Sequence, residues 1–175
     1  MTRILGLSGS LRAASLNSLA LRAAARLAPA GVRLELYSGL GALPLFNADL
    51  DPTAVLAAQE LRLALNAADA VLIASPEYAH GVSGVMKNAL DWMVGNETFV
   101  GKPVALLNAS PRATLAQAAL RETLVTMSAR IIEEACLAVP LLGGGFDLET
   151  LIGHRTIARS FTDALGALAA AVNAR

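Results

Sequence analysis

The chain has one cysteine, Cys136, so no disulfide can staple it. It has two histidines, His80 and His154, too few for a His-rich metal site. Lysine is confined to Lys87 and Lys102, and aromatic residues make up 4% of the chain. Charged residues reach only 16%, against about 25% in an average globular protein. Lys plus Arg equal Asp plus Glu at 14 each, a balance unlike that of a general nucleic-acid binder, which is usually basic. No apolar run approaches the roughly 20 residues of a membrane-spanning helix. Arg22 and Arg26, Glu133 and Glu134, and Asp163 interrupt the candidates. Met1-Thr2-Arg3-Ile4 runs straight into a strand-like segment without the long apolar stretch of a secretory leader. With a lone thiol, the expectation is a cytoplasmic protein with no membrane partner and no nucleic-acid partner.

What the chain does have is apolar mass. Hydrophobic residues are 55% of its 175 positions, enough for a large core and too many for intrinsic disorder. The length suits one domain over residues 1–175. Residues 3–8 read as a strand, 17–28 as a helix, and 32–37 as a second, alternating strand. Residues 38–52 read as a long loop and 53–67 as a helix opened by Thr53. Asp69–Ser75 and Pro103–Ala109 are unbroken apolar runs, as in strands buried on both faces. Residues 84–94 and 115–128 fit helices, and 131–139 a fifth strand interrupted by Glu133 and Glu134. Gly143-Gly144-Gly145 marks a turn before a last helix over 149–172. Regular strand–helix alternation predicts an α/β fold: a five-stranded parallel sheet, order 2-1-3-4-5, flavodoxin-like, with helices on both faces. Ligands of such sheets bind at the carboxyl ends of the strands. The loops that matter are therefore 9–17, 76–84 and 110–114.

The first loop precedes the first acidic residue, Glu35, in a segment holding Arg3, Arg12, Arg22, Arg26 and Arg33. It matches neither GxxxxGK[ST] nor GxGxxG. It offers the hydroxyls of Ser10, Ser15 and Ser18, the amide of Asn17 and the guanidinium of Arg12 between a strand end and a helix start, where free backbone N–H groups favour an anion. Ser15 or Asn17 could equally serve only as a helix cap. The second loop carries Pro76, Glu77, Tyr78, Ala79, His80, Gly81, Ser83 and Gly84. Gly81 and Gly84 would let backbone approach a flat ligand, with Tyr78 shielding it. Met86, Ala89, Leu90 and Met93 face a core or a partner. Cys136, among Ala135, Leu137 and Ala138, reads as a buried structural thiol.

Three blocks then carry a resemblance. Ser10-x-Arg12-x-x-Ser15-x-Asn17 resembles the SxRxxSxN loop of the NADPH-dependent FMN reductase family. Pro76-Glu77-Tyr78 followed by Gly84-Val85-Met86-Lys87-Asn88-Ala89-Leu90-Asp91-Trp92 is similar to its PEYN…GxLKNAxDW signature. Leu43-Pro44-Leu45-Phe46-Asn47-Ala48-Asp49 is similar to its LPLY-[DN]-xD segment. The chain departs from the family at Ala79 and His80, at Ser83 where proline is common, and in a third loop without glycines.

The resemblance implies a flavodoxin-like fold, FMN as cofactor and NADPH or NADH as reductant. It implies that Ser10, Arg12, Ser15, Asn17 and Ser18 hold the FMN phosphate. Pro76, Glu77, Tyr78, Ala79, Gly81 and Ser110 would line the ring, and His80 would lie on the substrate side. Hydride transfer through flavin N5 in a ping-pong sequence, to a quinone-like or other small electron acceptor, needs no catalytic side chain. A homodimer or homotetramer is expected. Two other functions fit the same residues: a flavodoxin-like FMN electron carrier that does not oxidise NAD(P)H, and a protein that kept the fold without the flavin.

Overall fold

The computed structural model describes residues 1–110 and 112–174. Pro111, part of the third loop, and Arg175 lie outside the described residues. The elements run β1 (Thr2–Ser8), α1 (Leu16–Arg26), β2 (Val32–Leu36), α2 (Leu56–Ala67), β3 (Ala70–Ala74), β4 (Glu77–Tyr78), β5 (Gly81–Val82), α3 (Gly84–Met93), β6 (Pro103–Asn108), α4 (Leu115–Thr126), β7 (Arg130–Ile131), β8 (Leu137–Ala138), α5 (Leu148–Gly153) and α6 (Arg155–Asn173). The main sheet has the order β2-β1-β3-β6-β7, with β8 also on β6, and every pair in it is parallel. Counting β7 and β8 as one interrupted strand, this is the expected 2-1-3-4-5 order.

Pleating explains why the central strands are apolar throughout. Ile4, Leu72, Ala74, Ala105 and Leu107 face one core, beneath α1, α5 and α6. Their neighbours Leu5, Leu7, Val71, Ile73, Val104 and Leu106 face the other, beneath α2, α3 and α4. Alternate side chains point to opposite faces, so a strand covered on both sides cannot show a polar face. Met86, Ala89, Leu90 and Met93 are buried in the second core, as expected.

Four local expectations are corrected. The helix read as 53–67 starts at Leu56, because the Thr53 amide and hydroxyl both bond to Asp51 Oδ1 in a turn (2.8 and 2.7 Å) instead of opening it. The strand read as 131–139 is broken by a 3-10 turn at Glu133–Ala135. That turn carries Glu133 and Glu134 into solvent, and their charges could not be buried inside a sheet. The backbone still tracks β6: Ile132 N–H donates to Val104 O and Val139 N–H to Asn108 O (2.9 and 2.8 Å). Between them, the Leu106 amide donates to Cys136 Sγ at 3.4 Å, so the thiol fills the ladder position lost to the turn. Cys136 is half-buried rather than buried. Finally, the helix read as 149–172 is two helices. Asp147 and Thr150 form a capping box on α5, and His154 leaves helical geometry to cap α6.

Candidate active site

The three loops that the sequence singled out do converge. A cleft of about 280 Å³ opens at the carboxyl edge of the sheet between the start of α1, the end of β3 and the β6–α4 loop. Asn17, Pro76, Glu77 and Ser110 line it. A larger hollow of about 340 Å³ lies under Phe46 and Trp92 and contains none of the nucleotide-binding candidates.

The first wall is the turn into α1. Ser15 caps that helix, its Oγ accepting from Ser18 N–H at 3.2 Å. Ser10 Oγ accepts from Arg12 N–H at 3.4 Å. Ser18 spends its hydroxyl on Ser8 Oγ at 2.7 Å, which braces the loop from below. The N–H groups of Leu16 and Asn17, in the first turn of α1, have no acceptor among the described residues. The Asn17 residue is mostly buried, and its side-chain amide, which opens on the cleft, likewise has no hydrogen-bond partner among them. Amide donors at a helix N-terminus that open on a cleft suit an anion such as a phosphate, which would accept from them. Arg12 is exposed and has no carboxylate partner among the described residues. The donor set therefore fits a phosphate monoester. Of the residues predicted for the phosphate, Asn17 lines the cleft, while Ser10, Arg12, Ser15 and Ser18 shape or flank the turn.

The second wall is a hairpin, where the sequence predicts a plain loop. β4 and β5 pair antiparallel, Glu77 with Val82 and Tyr78 with Gly81. The two turn residues, Ala79 and His80, have φ of 48° and 62°. That double positive φ matches the right-handed twist of a two-residue hairpin, but it suits Asn and Gly and strains other residues. The left-handed conformation thus falls on Ala79 and His80 and not on Gly81 or Gly84, where the sequence suggested backbone freedom. Tyr78 is half exposed and free to cover a flat ligand.

Glu77 ties this hairpin to the third wall. Thr114 precedes α4 without capping it. The cap comes from 39 positions away: Glu77 Oε2 accepts the Ala116 amide at 2.9 Å. Oε1 lies 3.2 Å from His80 Nδ1. The Ala116 amide is the main reason that the Glu77 carboxyl titrates below its ordinary value; burial opposes this, and His80 and the Leu115 amide add to it. The side chain is 12% exposed and held at both oxygens, so Glu77 is not a free loop acid.

Residues outside the predicted set complete the cleft. Asn108, at the end of β6, shapes the third loop: its Oδ1 accepts Ser110 N–H at 3.0 Å and its Nδ2 donates to Ala113 O at 3.1 Å. An Asn closing a strand before a loop is a turn signal that could have flagged it. Arg112 and Leu142 also line the cleft. Leu142 arrives from beyond β8, and no local pattern pointed to it.

Comparisons agree with this geometry. The family profile described as NADPH-dependent FMN reductase matches residues 2–142. An NAD(P)H-dependent FMN reductase of Pseudomonas aeruginosa is 38% identical over 156 residues, covering 84% of this chain and 82% of that protein. A quinone reductase of Pseudomonas putida is 35% identical over 149 residues, covering 80% and 77%. Among solved structures, the FerB flavoenzyme NAD(P)H:(acceptor) oxidoreductase of Paracoccus denitrificans superimposes with a TM-score of 0.82 at 28% identity, over 99% of this chain and 96% of that one.

Two outcomes follow from the hairpin. Replacing Ala79 by Gly or Asn relieves the left-handed strain, and a urea titration is expected to show about 1 kcal/mol of added stability. Because the folded Glu77 carboxyl titrates below its ordinary value of 4.5, its contribution is present above that pH and lost as pH falls through the folded value. The Glu77→Gln protein is therefore expected to melt below the parent at pH 7, with the gap closing as the pH drops below 4.5. Melting curves across that range check it, and a gap independent of pH would contradict the charged cap. On its matched profile and its relatives, the chain belongs to the NADPH-dependent FMN reductase family.

Proposed function

We propose that the chain is an FMN-dependent NAD(P)H oxidoreductase that reduces a quinone-like or other small electron acceptor. The carrying observation is the cleft itself: in a member of this family, partnerless amides at the α1 start face a strand-end hairpin across one opening. The named activities of the relatives, reduction of FMN and of quinones, support the acceptor class. When bound, FMN would supply the redox chemistry, hydride transfer from NAD(P)H to the acceptor.

The protein's part is binding and orientation. Ser10, Arg12, Ser15 and Asn17, with the first amides of α1, hold the phosphate, and Ser18 braces them through Ser8. Pro76, Glu77, Tyr78, Ala79, Gly81 and Ser110 form the surround of the ring, chiefly through backbone. His80, 80% exposed at the hairpin tip, lies on the side from which a substrate arrives. Residues 1–175 act as one flavin-binding domain, since both cores share one sheet. No helix among the described residues is long and apolar enough to cross a membrane. The cytoplasm, where pyridine nucleotides are kept, is the compartment we propose.

Self-association also belongs to this reading. Leu45 is 86% exposed on the segment beside the Phe46–Trp92 hollow, and Leu56, Leu63 and Val94 are exposed as well. An interface between copies would take such apolar side chains out of water. Sedimentation equilibrium is expected to give at least twice the mass of one chain, and a monomer at micromolar concentration would refute it.

The reductase itself is tested anaerobically. Adding NADPH or NADH to FMN-loaded protein is expected to bleach the yellow flavin band within one turnover, and a quinone is expected to restore it. Failure of both nucleotides, with flavin bound, would leave the electron-carrier reading instead.

A further inference from the structure

Ser83 departs from the family pattern, in which proline is common, and the structure gives it a specific task. It is 1% exposed. Its hydroxyl donates to Gly9 O at 2.7 Å. A carbonyl only accepts, so the single Ser83 proton is committed there. The Met86 amide donates to Ser83 Oγ at 3.3 Å. Ser75 Oγ lies 3.3 Å from Ser83 Oγ, its one proton shared between that oxygen and Pro76 O at 3.4 Å.

The contact point is crowded as well as bonded. A β-carbon on Gly9 would sit 2.4 Å from Ser75 Oγ and 2.8 Å from Ser83 Oγ. Gly9 N–H donates to Ala74 O at 2.8 Å. The Gly9 residue is thus held at both its N–H and its C=O. A peptide unit is planar, so fixing the Gly9 carbonyl also fixes the direction of the Ser10 N–H. Ser10 opens the turn that leads to Asn17, whereas Ser83 ends the hairpin that carries Pro76 to Gly81. One buried hydroxyl therefore couples the two halves of the cleft.

We infer that Ser83 is a positioning residue that sets the spacing between the phosphate-binding turn and the ring-binding hairpin. The inference rests on the flavin-nucleotide reading of this cleft. A ligand that engages both halves gains from their fixed spacing, because the ordering cost is met in advance. A ligand that engages only one half does not.

The test compares FMN with riboflavin, which lacks the phosphate, by fluorescence quenching on the apoprotein. Ser83→Pro is the sharper variant: Ser83 already has φ −57° and ψ 142°, within reach of proline, and its N–H has no backbone acceptor among the described residues. Ser83→Ala is the second variant, and circular dichroism establishes that each is folded. Loss of the hydroxyl is expected to raise the FMN dissociation constant about tenfold, from orphaning buried polar partners, and the riboflavin constant by less than about twofold. Ser83→Cys, with a weak donor of similar size, should fall between. Equal weakening of both ligands, or FMN affinity unchanged in the folded variants, overturns the inference. If the parent protein binds neither ligand, the flavin reading itself fails, which is a separate result.

Discussion

Where β1 leaves the sheet, there is no room for a side chain. Gly9 lies between Ser75, at the end of β3, and Ser83, at the start of α3. Two adjacent parallel strands end there, and both must send their loops outward without colliding. Glycine lets the first loop pass, and the two serines convert the close approach into hydrogen bonds instead of a clash. From that point the first loop climbs to the free amides of α1 and the second forms the strained hairpin. A second long-range bond, Glu77 to Ala116, carries the same order to the third loop. The cleft is therefore held by a few buried polar contacts between strand ends, on a sheet whose apolar packing keeps those ends in register.

The signature blocks also touch one another. Asn88 and Trp92, from the LKNAxDW-like helix, both donate to Pro44 O at 3.0 and 2.8 Å. Asn88 Oδ1 accepts Phe46 N–H at 2.8 Å, and Phe46 meets the Trp92 ring edge-on at 5.3 Å between centroids. The LPLF segment is thus clamped along α3. Three motifs far apart in the sequence, at 10–17, 43–49 and 76–92, form one connected assembly through Ser83–Gly9 and Asn88–Pro44. The polar residues of the helical motif have a structural use here as fasteners for the 43–49 segment, which has no helix or strand of its own.

The sheet was legible because its signal is dense: DAVLIAS and PVALLNA must be buried on both faces, and only a covered parallel strand allows that. The turn proposed to hold the phosphate was legible because its candidate donors lie within nine consecutive residues, Ser10 to Ser18. The features that escaped share a different origin. The tie at Glu77 was not legible because its partner, Ala116, is distant in sequence and contributes only a backbone amide, which no residue code reveals. The hairpin was hidden because Ala-His is a poor match to its turn. Tertiary ties at Glu77 and Ser83 impose a conformation that local preference opposes. Leu142 reaches the cleft only because the 3-10 turn at Glu133–Ala135 lets the chain rejoin β6 further along.

Net charge zero says little about the field at this cleft. Glu77 is the one carboxylate in its lining, and it faces the α4 N-terminus, whose partial positive charge it compensates. It therefore opposes an incoming anion less than a free carboxylate at the same place would. The α1 N-terminus and Arg112 also border the cleft, and Arg12 stands on the turn into α1; neither guanidinium has a carboxylate partner among the described residues. The remaining acidic residues largely sit elsewhere, several of them paired, as with Arg33–Glu35, Lys87–Asp91 and Arg121–Glu133. A neutral protein thus presents a locally positive cleft, suited to the phosphates of both a flavin mononucleotide and a pyridine dinucleotide. An acidic electron carrier would be poorly placed to attract the second of these, since its field would repel the reductant. Charge placement therefore favours an enzyme that must admit two anionic ligands to neighbouring positions.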